Sequence, residues 1–478
     1  MSGPDKPGPV GTKRRRFLTG AAGAVGALGT AGAAHAKEDV SRAAAVRREG
    51  PSLPFYGAHQ NGIATKMQNH AYFAAFDLVT MEREEVASLL KAWTSAAARM
   101  TVGETAQPLD AGLKPAVAPA GSSVEKYGDS DQTPLPSVAA ADAGETLGQP
   151  PTGLTEARGP TAMAADTGEV LGQSPARLTL TFGFGAGLFT KDGKDRYGLA
   201  ARRPAALVDL PKFVGDQLVE GATGGDLLVQ ACADDPQVAF HAVRQLARLA
   251  AKVAQIRWAQ TGFVPGIGGG ETPRNLMGFK DGTNNPSITD PKAMDKFVWV
   301  GAEGPAWMRG GSYVVARRIR IALEHWDRMK IAFQEETVGR LKYSGAPIGK
   351  SKEFDALDLA AADKDGNPLI AENAHVRLAA AATNEGAQIL RRGYSYNDGV
   401  NLTAERWPPW RQGLEYDAGL FFVCYQRDAR TGFIRIFERM AKFDMLNQFV
   451  THVGGGLFAC PPGATAARYL GQALFEAA

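Results

Sequence analysis

GGDLLVQACADDPQVAFHAVRQLARLAAKVAQIRWA, residues 224–259, changes its period midway. The first part holds a short, nearly continuous apolar run, Leu227 to Ala233, of strand length and closed by Asp-Asp-Pro. From Pro236 the apolar residues Phe240, Val243, Leu246, Leu249 and Val253 recur at helical spacing, which predicts one helix from about Pro236 to Ala259. Upstream, RLTLTFGFGAGLF at 177–189 reads as another strand. Further back, FYGAHQNGIATKMQNHAYFAAFDLV at 55–79 alternates as a strand does. EREEVASLLKAWTSAAARM at 82–100 is helical in period, with acidic residues in its first turn.

The second half repeats this order. GSYVVARRIRIAL (311–323) reads as a strand and WDRMKIAFQEETVGRLK (326–342) as an amphipathic helix; ILRRGYSY (389–396) and GLFFVCYQ (419–426) are strands, and FIRIFERMAKFDMLNQFVTHV (433–453) is a closing helix. Two rounds of strand, helix, two strands and helix predict an α+β protein of two ferredoxin-like units, residues 37–260 and 261–478, with antiparallel sheets in a barrel-like arrangement and helices on one face. Residues 103 to about 175 interrupt the first unit with Pro, Gly, Ala, Ser and Thr, a composition that cannot build core and predicts a disordered insertion. Within it DAGETLGQ (142–149) recurs as DTGEVLGQ (166–173), which reads as an expanded surface loop.

The N-terminus, KRRRFLTGAAGAVGALGTAGAAHA, has an arginine pair, a weakly apolar Gly/Ala stretch and a small-residue end at Ala34-His35-Ala36, the pattern of a twin-arginine signal peptide over residues 1–36. Export in the folded state to the periplasm or beyond is the expectation, and such export favours proteins that acquire a cofactor before leaving. The segment carries five basic side chains and one acidic, a net +4 whose removal leaves the chain near −1. With 53 Lys+Arg against 50 Asp+Glu overall, no basic footprint for nucleic acid exists. Cys232, Cys424 and Cys460 are too few for a disulfide framework, and their apolar settings predict buried thiols.

Chemistry is sought by elimination among seven histidines. No HxH, HExxH or CxxC spacing occurs, so a multi-histidine zinc site is disfavoured. His35 leaves with the signal; His241 and His325 lie in or beside helices, His59 and His70 flank a strand and His452 ends a helix. His375, in NAHVRLAAAATNEGAQILRRGYSY, precedes the pair Arg391-Arg392 by sixteen residues and suits a porphyrin, which asks the protein for a single axial donor. The Gly-rich segment between the units contains GFKDGTNNP, with Asp281 in a turn-like setting and no phosphate-loop spacing.

GFKDG at 278–282, AHVRLA around His375, RRGY at 391–394, FYGAHQNGI at 55–63, GGSYVVARRIRI at 310–321, and DAGLFFVCYQRD with THVGGGLFACPPG together resemble the dye-decolourising peroxidase family, in its exported bacterial branch linked to iron uptake. The match runs from about residue 52 to 470 and is interrupted chiefly by the insertion. The resemblance implies one haem b held by the second unit, with His375 as proximal ligand, Asp281 as distal acid/base, Arg391 as distal arginine and Asp444 as acceptor of the imidazole proton. It also implies Arg318 as a partner for haem propionates. The alanine run after His375 departs from the family, which carries Asn-Pro there, and leaves the proximal loop and the choice between Arg391 and Arg392 open.

Splitting hydrogen peroxide heterolytically moves a proton from one oxygen to the other, so a base that becomes an acid must stand over the reacting pair. A guanidinium that never deprotonates stabilises the departing oxygen. An ordinary Asp carboxyl, half ionised near pH 4, predicts an acidic optimum. Bulky donors would be oxidised through aromatic relays drawn from Trp258, Trp299, Trp407, Trp410, Tyr394 and Tyr396, although core packing is the more common role for any one of them. The expected partners are hydrogen peroxide and a dye, phenol or ferrous iron as donor, with room for an iron permease and for pairing as a homodimer. Release of iron from haem with the porphyrin intact, and haem carriage with incidental turnover, are the rival readings.

Overall fold

The computed structural model describes residues 50–108, 165–265, 271–404 and 412–476. The expected signal segment 1–36, the first octapeptide copy at 142–149, and Trp407 and Trp410 lie outside the described residues. Nine strands form one sheet: β1 (His70–Leu78), β2 (Thr179–Gly185), β3 (Leu227–Ala233), β4 (Ala254–Phe263), β5 (Ser312–Ile321), β6 (Leu390–Arg391), β7 (Tyr394–Ala404), β8 (Gln412–Gln426) and β9 (Val450–Cys460). Their order is β5-β9-β2-β3-β1-β4-β7-β8-β6, and pairing of β5 with β8 closes eight of them into a barrel with β6 appended. All neighbours run antiparallel.

Each half supplies four barrel strands. β1, helix Arg83–Met100, β2, β3, helix Pro236–Ala250 and β4 repeat as β5, helix Ile331–Val338, β7, β8, helix Arg435–Phe443 and β9. This is the ferredoxin-like βαββαβ order twice over. Within the halves the ladders are long; between them they are short, two residue pairs of β2 with β9 and one of β4 with β7, beside an isolated bridge of Thr223 with Gly455. Alternation along the strands sends one set of side chains inward, where Phe73, Trp258, Val314, Tyr394, Phe421, Tyr425 and Phe458 fill the barrel. The other set packs under the helices.

Three sequence expectations are corrected in length. The helix predicted to Ala259 ends at Ala250, where Asp235 caps its start by accepting from the Gln237 and Val238 amides. Beyond it the period switches to two, with Ala254, Trp258, Gln260 and Gly262 buried, and the chain enters β4. Phe240 points outward, 44% exposed, whereas Val243 and Leu246 of the expected stripe are buried, together with Val238, Ala239 and Ala242. The helix expected over 326–342 is reduced to Ile331–Val338, because Gly339 at φ +86° terminates it. The closing helix stops at Phe443; Asp444 caps a short turn that leads into β9. All three cysteines are free and buried, as expected.

The second octapeptide copy is docked on helix Pro236–Ala250. Val170 is fully buried, Asp166 accepts from the Ala106 and Gly168 amides, and the Glu169 carbonyl accepts from Gln237. His241, 2% exposed, lies between the two acids: Nε2 is 3.4 Å from Asp166 Oδ2 and Nδ1 is 3.1 Å from Glu169 Oε1.

Candidate active site

His375 opens the short helix His375–Ala379, which packs against helix Arg435–Phe443. Its Nδ1 lies 2.7 Å from Asp444 Oδ2, while Asp444 Oδ1 accepts from the Leu446 amide at 2.9 Å. The carboxylate is therefore held by the backbone turn that ends one helix and reaches the first residue of another. Packing around the imidazole pushes its pKa down, but the charge and hydrogen bond of Asp444 outweigh this and raise it. The Asp444 side chain is 2% exposed and the His375 side chain 31%, so one edge of the ring is sealed and the other opens.

The alanine run after His375 folds tightly. Thr383 Oγ1 donates to the carbonyls of Arg377 and Ala380, and Asn384 Nδ2 donates to those of Leu378 and Ala380. Two polar side chains thus absorb the carbonyls left at the helix end, the task the sequence left unassigned.

Asp281 and Arg391 converge from 110 residues apart: the Arg391 guanidinium donates to Asp281 Oδ1 at 2.7 Å. Both are partly open, 25% and 29% exposed, and both lie near enough for their charges to act on His375. Arg392 has the opposite orientation. It is buried, donates to the Thr65 carbonyl and Gln68 Oε1, and borders Tyr394 and Cys232 inside the barrel. Strand alternation decides between the two arginines.

Arg318 is not brought to this group. It projects to the same face as Trp258 and Phe421, lines a cavity of about 480 Å³ at the barrel mouth, and pairs with Asp398 and Asp417, both at 2.8 Å, while lying over the Tyr396 ring. Its neighbour Arg317 takes the helix face, ion-paired with buried Asp216. Among the relay candidates Trp258, Trp299, Tyr394 and Tyr396 are all core residues, at most 9% exposed.

Two contributors escaped the sequence reading. Asn285 bonds both backbone groups of Arg391, and Glu353 accepts from Lys280 and Thr283 on either side of Asp281. The Asn-Asn-Pro signal pointed to a turn and not to what the turn would hold; Glu353 lies in a stretch with no motif.

Family models place residues 60–123 and 137–264 in the N-terminal domain of the Dyp-type peroxidases and 272–465 in the C-terminal domain. The chain belongs to the DyP-type peroxidase family. It is 42% identical over 305 residues to the dye-decolorizing peroxidase of Thermobifida fusca, covering 62% of this chain and 67% of that one. It is 33% identical to the deferrochelatase of Escherichia coli O157:H7 over 99% of both chains. The crystal structure of a DyP-type peroxidase from Streptomyces coelicolor matches with TM-score 0.71 at 35% identity, over 90% of this chain and 98% of that one. Ferric DtpA from Streptomyces lividans matches equally well, at 36% identity. The protein is a haem peroxidase.

The residues present fit that cofactor. A single imidazole with Nδ1 committed to a carboxylate leaves Nε2 as donor toward open space, the arrangement that fixes the tautomer and raises ligand basicity. His375 would hold the haem iron, with Asp444 behind it.

Proposed function

We propose that this chain consumes hydrogen peroxide to oxidise dyes, phenols or ferrous iron, where His375 would hold the haem, with Asp281 as acid/base and Arg391 as the fixed cation. The observation that supports this is the Asp281–Arg391 contact beside an imidazole whose Nδ1 is already taken. Bound haem supplies the redox centre that receives the oxidising equivalents of the peroxide. Asp281 takes the proton from one peroxide oxygen and delivers it to the other, which departs as water. Arg391, held against Asp281, keeps a full positive charge where negative charge develops. Asp444 keeps the imidazole oriented and electron-rich.

Dye oxidation should peak in the acid range, and Asp281→Asn should lose about 10²–10³ in kcat while keeping haem. A peak above about pH 7, or full activity in Asp281→Asn, would overturn the assignment.

Release of iron from haem with the porphyrin intact is a second reading, supported by relatives named deferrochelatase that align along nearly the whole chain. Metal-free porphyrin appearing without ring opening distinguishes it. The Arg14-Arg15 signal supports export in the folded state, beside an iron permease in the iron-uptake version; Arg14→Lys with Arg15→Lys should leave the precursor in the cytoplasm. Among the described residues no helix is long and apolar enough to cross a membrane.

A further inference from the structure

Asp281 and Arg391 come from segments with little regular structure, and the guanidinium sits at the end of a long, flexible side chain. Arg391 belongs to the two-residue strand β6, last in the sheet order. The next residue, Arg392, donates its amide to the Val423 carbonyl on β8, so the backbone groups of Arg391 turn toward the open edge. There they meet one side chain. Asn285 Nδ2 donates to the Arg391 carbonyl at 2.7 Å and Asn285 Oδ1 accepts from the Arg391 amide at 3.1 Å, which satisfies both backbone groups as a neighbouring strand would.

Asn285 also belongs to the turn that carries Asp281. Its amide donates to the Gly282 carbonyl at 3.1 Å, and Gly282 sits at φ +120°, a conformation that side chains disfavour. The turn thus grips Arg391 twice, by carboxylate on guanidinium and by carboxamide on backbone. Its outer side is braced by Glu353, which accepts from Lys280 at 2.6 Å and Thr283 at 2.9 Å. Burial pushes the Glu353 carboxyl up, but bonds from Lys280, Thr272 and Thr283 hold it below its ordinary value, so the brace is ionised.

We propose that Asn285 is a positioning residue for peroxide cleavage, fixing the Arg391 guanidinium against the Asp281 carboxylate by clamping the arginine backbone. The inference rests on the reading of Asp281 and Arg391 given above. A displacement of about 1 Å in such a pair can cost up to 10²-fold in rate. The test uses the haem-loaded full chain as wild type, Asn285→Ala, Asn285→Asp and Arg391→Ala. Two readouts are taken: kcat and KM for peroxide, and the affinity of the ferric protein for fluoride from its absorption change, which reports the guanidinium without turnover.

Asn285→Ala should lose roughly 10- to 100-fold in kcat/KM for peroxide and weaken fluoride binding, with haem content and KM for the dye retained. Asn285→Asp, which keeps the acceptor and loses the donor, should fall between; it also carries the test if the alanine variant does not fold. Wild-type peroxide kinetics and fluoride affinity in both Asn285 variants, with Arg391→Ala impaired, would overturn the clamp. If Arg391→Ala is itself unimpaired, the reading of Arg391 fails and the clamp falls with it.

Discussion

His375 and His241 both sit against carboxylates, and the contrast between them separates a ligand from a clasp. At His375 one acid, Asp444, takes Nδ1, no described residue bonds Nε2, and the side chain is 31% exposed. At His241 an acid stands beside each nitrogen and the ring is sealed from solvent. Arg244 lies 3.3 Å from Glu169 and adds a cation beside the two carboxylates. Asp166, Glu169 and His241 have the spacing of a metal cluster. Each nitrogen nevertheless faces a carboxylate, at 3.4 and 3.1 Å, and neither is left pointing into open space. What would make His375 a donor is the nitrogen its partner leaves free.

Removing His241 should cost most in stability. His241→Ala removes the buried ring that stands between two acids and leaves a cavity beside them, an expected loss of about 3–5 kcal/mol by denaturant titration, with haem content and turnover per haem unchanged. On the other side, Arg391→Ala should keep stability and haem and lose about 10²–10³ in kcat by steady-state kinetics. Asp444→Asn should bind haem roughly 10- to 100-fold more weakly in a competition titration, since the imidazole loses its orienting charge. If Asp444→Asn only destabilised the fold, as His241→Ala should, the contrast would collapse.

The smallest effect concerns acid. Burial pushes the Asp166 carboxyl up, and His241 with the Ala106 and Gly168 amides more than offsets this, leaving it at about 2; Glu169 is likewise held at about 2. A carboxyl lowered in the folded state stabilises above its ordinary value near 4, and that contribution disappears as pH falls from about 4 toward 2. Asp166 should therefore contribute about 2 kcal/mol at neutral pH. Unfolding midpoints of wild type and Asp166→Asn should converge below about pH 3; a constant gap would sharpen the case for hydrogen bonding over charge.

The sequence made this contrast half visible. Motif content led to Asp281, His375, Arg391 and Asp444, and the structure gathers them into two bonded pairs in one region. Period alone misjudged β4, because the 3.6-residue stripe passes into alternation at Ala254 without a break residue. Arg318 was named from a motif, whereas strand alternation and pairing set which face it occupies, and pairing register is not written in a single strand. Asn285 and Glu353 act through loops that approach only in the folded chain, 106 and about 70 residues from their partners. The second octapeptide copy read as loop filler; its acids earn a role only from a histidine on a helix some seventy residues away.

The central claim is that His375, and not His241, holds the haem. Absorption spectra of wild type, His375→Ala and His241→Ala, purified after haem loading, test it directly. The account predicts a Soret band of equal intensity per chain in wild type and His241→Ala, and its loss in His375→Ala. A wild-type Soret band in His375→Ala, or its absence from wild type, would contradict it.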